Sequence, residues 1–211
     1  MDLILFGMQG SGKGTLGKQL SERYNMEFFE TGAELRKLSS EDSELGQKVK
    51  SIIEAGHLVS NEVVMEIVEN FMNNIDDPKK GIIFDGIPRK IIQAETLNAL
   101  LDKHDRTYKA VLLEIKEETA LKRLTTRRIC KECKNVYPVS YEDENCECGG
   151  ELVTRSDDNP EAIKTRLKAF ADETVPAIDL YKENLIVLDG EPTIDEVGEI
   201  AYVKFDPIMN N

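Results

Sequence analysis

The stretch Leu3-Ile4-Leu5-Phe6-Gly7-Met8-Gln9-Gly10-Ser11-Gly12-Lys13-Gly14-Thr15 decides how the rest of the chain is read. Its first four residues are apolar without helical spacing, which predicts a buried strand. Leu16 and Leu20, four apart, predict an amphipathic helix beginning near Gly12. A strand, a glycine-rich turn and a helix N-terminus in that order provide the setting of a phosphate-binding loop. The glycines allow positive φ, so successive N–H groups can face an anion. The helix contributes the positive end of its dipole. Lys13 offers a mobile charge for the β- and γ-phosphates, and Thr15 a hydroxyl near them. A glycine-rich turn that binds nothing is the plain alternative. The Gly7-x4-Gly12-Lys13 spacing between a strand and a helix argues against it.

The 211 residues suffice for one large core or a core with small inserts. Charged residues make up 32% and aromatics 6%, which excludes membrane and fibrous classes. No apolar run approaches a membrane span. The chain enters its first strand without a basic segment and a long apolar stretch, so no secretory leader and a cytoplasmic location are expected. A net charge of −13 speaks against broad contact with nucleic acid. It leaves room for a local arginine cluster around a nucleotide.

Four more strands are expected, at Glu27–Phe29, Gly81–Phe84, Ala110–Ile115 and Leu185–Leu188. Between them, apolar spacing predicts helices over Leu45–Ile53, Val63–Phe71 and Glu161–Phe170, with a closing helix from Ile194 to Phe205. The order predicts an α/β fold: a doubly wound, five-stranded parallel sheet with helices on both faces. Thr31 is placed to cap the helix carrying Arg36. Asp85, delivered by a buried strand, is placed to hold the waters of a Mg²⁺ ion; a turn cap is the alternative. Arg123 and Arg127, four apart, share one helix face, which an ordinary basic surface stripe would also do. His57, in a segment with no catalytic partner, reads as exposed and structural.

All four cysteines fall between Cys130 and Cys148. Cys130-x2-Cys133 has metal-ligand spacing, whereas Cys146-x-Cys148 is one residue narrower than usual. A structural Zn²⁺ stapling a small insert is favoured over free thiols or a disulfide; iron is left open. Glu142, Asp143, Glu144 and Glu147 flank the cluster with the wrong charge for a nucleic-acid ribbon.

The loop form GxxGxGKGT resembles that of the adenylate kinase family of nucleoside monophosphate kinases, with Gln9 where that family usually has proline. Thr31-Gly32-Ala33-Glu34-Leu35-Arg36 resembles its TGDxLR element, with Ala33 for Asp. Gly56-His57-Leu58-Val59-Ser60-Asn61 resembles G-x-L-V-x-[DN], and Asp85-Gly86-Ile87-Pro88-Arg89 resembles DGFPR. The cysteine segment, with Gly149-Gly150-Glu151-Leu152, resembles the metal-bearing lid of its long form. The resemblance covers nearly the whole chain.

It implies a P-loop NTPase-type fold divided into a core (1–30, 61–121 and 160–211), an insert over the monophosphate (31–60) and a lid (122–159). It implies Mg·ATP + AMP ⇌ 2 ADP by a monomer, with no nucleic-acid or membrane partner. ATP would lie on Gly10, Ser11, Gly12, Lys13, Gly14 and Thr15, with Arg123 stacked on its adenine and Arg127 on its phosphates. AMP would meet Thr31, Gly32, Arg36, Leu58, Val59, Gly86, Arg89, Gln93, Arg155 and Arg166. Catalysis would rest on Lys13, Asp85, Arg89, Arg123, Arg127, Arg155 and Arg166. Cys130, Cys133, Cys146 and Cys148 would bind zinc. Asp157 and Asp158 would anchor the closed lid; an N-cap before Pro160 is the competing role. A UMP/CMP or GMP kinase of the same family is the near alternative. A non-catalytic nucleotide sensor or zinc interaction module is the distant one.

Overall fold

Strand β1 (Asp2–Phe6) is buried along its whole length. Leu3 and Leu5 face one apolar cluster, and Ile4 and Phe6 the other. A strand buried on both faces needs cover on both sides, and the computed structural model, which describes residues 1–209, supplies it. On the first face lie α1 (Lys13–Tyr24), through Leu16 and Leu20, and α9 (Ile194–Met209), through Val197, Ala201 and Phe205. The second face is covered by α4 (Asn61–Asn73), α5 (Ile91–Lys103) and α8 (Val175–Ile178).

β2 (Glu27–Glu30), β3 (Ile82–Asp85), β4 (Tyr108–Glu114) and β8 (Leu185–Asp189) complete the sheet, in the order β2-β3-β1-β4-β8 with every neighbour parallel. From β1 the chain goes to one side for β2 and β3, then crosses to the other for β4 and β8. The crevice at the carboxyl ends beside β1 is where such sheets take ligands. All five expected strands are present, and the fold is the one the sequence predicts. The fourth helix runs further than expected because Ser60 caps it, its Oγ accepting from Val63 N. The last helix extends to Met209.

At the amino ends of the central strands the chain is clamped. Asp2 is fully buried, and its carboxylate accepts from the Arg106 guanidinium at 2.6 and 2.7 Å and from Ile82 N at 2.8 Å. Arg106 also donates to the carbonyls of Pro78 and Lys80.

Two small units stand above the carboxyl ends. One is the pair α2 (Thr31–Ser39) and α3 (Glu44–Glu54). The other follows α6 (Glu117–Thr126) as a three-stranded antiparallel sheet, in which β5 (Arg128–Cys130) lies between β6 (Val136–Tyr137) and β7 (Leu152–Val153). α7 (Pro160–Ala169) then returns the chain to the core. Among the described residues no helix is long and apolar enough to cross a membrane.

Candidate functional site

The loop after β1 has the predicted backbone. Gly7, Gly10 and Gly12 take φ of +147°, +84° and +100°. A Cβ at Gly7 would also sit 2.6 Å from the Leu113 carbonyl oxygen, so only glycine fits there. Ser11 is buried, and Gly14 and Thr15 lie in the first turn of α1. Lys13 Nζ turns back on the loop and donates to the carbonyls of Gly7 (2.7 Å) and Met8 (3.0 Å). Burial lowers this ammonium to about 8; Asp85 opposes the shift, while Arg89 and Arg127 add to it.

Asp85 ends β3 beside α1, where a Cβ on Gly14 would lie 3.5 Å from its Oδ2. Burial raises its acid and Lys13 pulls it back. A single hard carboxylate beside a phosphate loop suits a Mg²⁺ ion, which keeps most of its waters.

One reading of the monophosphate side is corrected. Thr31 does not cap α2. Strand β2 runs into the helix without a loop, so Glu30 takes the extended N-cap conformation and Thr31 is already helical. The buried Thr31 Oγ1 has no hydrogen-bond partner within the protein. Arg36, further along α2, folds back over Gly32 to Glu30, with Nη2 to Oε1 at 2.7 Å. Arg89 Nε donates to Gly86 O, and Gln93, 2% exposed, accepts from Arg89 N. Val59 is buried, Leu58 half-buried and His57 exposed.

Arg123 and Arg127 do not share a helix face, which is a second correction. α6 stops at Thr126, and Arg127 is extended. Arg123 reaches between the phosphate loop and the turn after β8, with Nη1 3.4 Å from Gly10 O and Nη2 3.2 Å from Glu191 O. Glu191 in turn caps α6 from outside, accepting from Lys116 N at 2.6 Å and from the Thr119 hydroxyl at 2.8 Å. Arg127 pairs with Asp158 at 2.6 and 2.8 Å. Arg155 pairs with Asp157, both contacts at 2.9 Å, and Arg166 touches both aspartates. The N-cap before Pro160 is Asn159, so neither aspartate serves in that role.

Burial lowers Arg89, and the charges of Arg166, Arg36 and Arg155 push the same way against Asp85. Burial likewise lowers Arg36, with Arg155 adding to it. Cations packed closely enough to depress one another are stabilised by a polyanion. A cavity of about 40 Å³ lies among Lys13, Gly86, Arg89, Gln9, Phe170 and Thr174. The last two come from a π-helical turn (Phe170–Thr174), and Thr174 Oγ1 donates to Arg89 O.

Sequence reasoning missed Glu30, Glu191 and Thr174. Glu30 carried a signal: like Asp85, it is an acid at the carboxyl end of a strand. Glu191 marked only the turn that ends the last apolar strand and Thr174 carried no signal, because their contacts are with residues far along the chain.

The four cysteines converge, their Sγ atoms all within 4.8 Å of one another. A tetrahedral ion with Zn–S bonds of about 2.3 Å would hold its thiolates about 3.8 Å apart, so the set fits such an ion. Cys146, the member with the unusual spacing, is buried with Cys130, and the Tyr137 hydroxyl lies 3.0 Å from its sulfur. That contact, followed by the Cys148 N–H, draws the Cys146 thiol down to about 6, toward the thiolate a metal requires.

Comparison with known proteins agrees with this geometry. A family model described as adenylate kinase matches residues 5–186. An adenylate kinase of Fervidobacterium nodosum is 37% identical over 210 residues, covering 96% of each chain. One of Archaeoglobus fulgidus is 39% identical over 204 residues, covering 94% of each. One of Staphylococcus aureus is 38% identical, covering 93% of this chain and 95% of that protein. With a phosphate loop, an arginine cleft and a four-cysteine cluster in one fold, the chain belongs to the adenylate kinase family.

Proposed function

We propose that this adenylate kinase transfers the terminal phosphoryl group of Mg·ATP to AMP by positioning and charge, without a protein nucleophile. The observation that carries this reading is the convergence of cations on one cleft. Lys13 and Arg89 line a single cavity with the buried carboxylate of Asp85 beside them, and Arg127, Arg155 and Arg166 are linked through Asp157 and Asp158 within the field of Arg36 and Arg89. In-line transfer between two polyanions needs little more than alignment and neutralisation of the charge that spreads over the moving group.

ATP lies along Gly10–Thr15, its phosphates on the loop N–H groups. Lys13 leaves the carbonyls of Gly7 and Met8 for the phosphate oxygens. Arg123 is braced by the turn after β8 to lie against the adenine, and Arg127 reaches the phosphates. AMP enters under α2 and α3, with its base along Thr31, Leu58 and Val59. Gln93, anchored through its oxygen on Arg89 N, offers its Nε2 donor to the base. The AMP phosphate takes Arg36 and Arg89, on a floor made by Gly32 and Gly86. Arg155 and Arg166 neutralise the group in transit. Asp85 is the residue that would hold the waters of a bound Mg²⁺ ion, which would supply charge neutralisation to the phosphate oxygens.

Residues 31–60 and 122–159 act as two covers that exclude water while the group moves. The cysteine cluster holds a structural zinc in the second cover, and the protein works as a cytoplasmic monomer. ADP formation assayed with AMP, UMP, CMP and GMP as acceptors tests the reading: AMP should be preferred by at least about tenfold. Equal rates with UMP or CMP would transfer the reading to the sister kinases, and nucleotide binding without turnover to a sensor.

A further inference from the structure

We propose that Glu30 is a built-in competitor for the phosphate of AMP and so sets the affinity of the monophosphate site. The proposal rests on the reading that Arg36 receives that phosphate. Glu30 is the last residue of β2 and lies in register with Asp85 on β3. Its Oε1 accepts from Arg36 Nη2 at 2.7 Å, and the two side chains are 30% and 33% exposed. The pair lies directly over Gly32: a Cβ there would stand 2.9 Å from Arg36 Nη1 and 3.5 Å from Glu30 Oε1. The guanidinium is therefore folded back along the first turn of its own helix and turned toward a resident carboxylate.

A phosphate arriving over Gly32 and Gly86 meets a cation that already has a partner. Arg36 must exchange the carboxylate for the phosphate. Once exchanged, Glu30 is left as an unpaired negative charge near the incoming dianion. Both effects weaken AMP binding, and neither touches the bond that breaks. The charge of Glu30 also reaches Lys13, Arg155 and Asp85, so it belongs to the cluster without holding a phosphate itself. Half-exposed ion pairs are modest in energy, so the effect is sized for tuning and not for blocking the site.

The test is a double-substitution cycle with Glu30→Gln, Arg36→Ala and both together, read by calorimetric AMP binding and by KM for AMP. Glu30→Gln should tighten AMP about threefold to tenfold, with kcat moving by a smaller factor. In the Arg36→Ala background the same change should give a clearly smaller gain, from relief of repulsion alone, because the competition runs through that arginine. Glu30→Ala, checked for folding by its melting curve, should tighten AMP in the same way. No gain, or weaker binding, in the Glu30 variants would overturn the proposal and leave Glu30 as a brace that aims Arg36. An equal gain in both backgrounds would overturn it too, in favour of simple repulsion. Should Arg36→Ala alone leave AMP affinity unchanged, the underlying reading of Arg36 fails, and the cycle shows that separately.

Discussion

Arg166 bridges Asp157 and Asp158, with Nη1 3.2 Å from one carboxylate and Nη2 2.7 Å from the other. Arg155 and Arg127 close the ends, so three arginines and two acids alternate along one ladder. A guanidinium pinned on two sides loses little rotamer freedom when substrate arrives. Asp158→Asn should therefore lower kcat by about 10- to 100-fold while ATP affinity changes less. Steady-state kinetics checks this; an unchanged kcat would make the ladder mere lid stabilisation.

Acid should dismantle the same ladder. Burial pushes Asp157 up, but Arg155 and Arg166 outweigh it and hold the carboxyl below its usual value. A carboxylate depressed in the folded state contributes stability above its unfolded pKa and loses it as pH falls through the folded one. Asp157→Asn should flatten the acid limb of a melting-temperature profile, chiefly below about pH 4.

Lys13 gives a pH dependence of opposite origin. In the free protein its ammonium loses its proton as pH rises through about 8, so capture of ATP weakens. kcat/KM for ATP should fall above that pH. Turnover at saturating ATP should persist to higher pH, because bound phosphates raise the group again. For stability the sign is reversed: the buried ammonium costs most below about 8, and the cost shrinks toward the unfolded value of 10.5. Parallel kcat and kcat/KM profiles that bend together would contradict this.

The Asp2–Arg106 clamp should matter for stability and little for chemistry. Removing one partner of a buried, fully hydrogen-bonded ion pair costs about 3–5 kcal/mol. Asp2→Ala should lower the melting temperature by on the order of 10 °C, with kcat at low temperature retained. Calorimetry and a rate assay on one preparation decide it.

Much of this was legible in the chain. Leu3–Phe6 and the glycines after it announced strand, turn and helix because few other backbones satisfy that pattern. Asp85 stood out because its place at the end of an apolar strand, which a turn cap would also explain, coincides with the resemblance of Asp85-Gly86-Ile87-Pro88-Arg89 to DGFPR. Thr31 misled because a cap needs extended backbone, and the strand before it had already assigned that geometry to Glu30. Arg127 misled because helical spacing does not report where a helix stops. The doubt over Cys146 came from spacing alone; a tight turn, closed by Gly149 N donating to Cys146 O at 2.7 Å, lets Cys146 and Cys148 both join the set. Cys146→Ser should thus lose bound zinc as completely as Cys133→Ser, measured by metal analysis.

Arg89 is the point where the two halves of the cleft meet, lining one cavity with Lys13 and sharing the field of Arg36, Arg155 and Arg166. The most direct test is the turnover of Arg89→Ala, followed as ADP formed from ATP and AMP. If charge and alignment carry the transfer, kcat should fall by at least about 100-fold with ATP affinity largely kept. A kcat within about threefold of the parent protein would mean that the arginine cleft does not perform the chemistry.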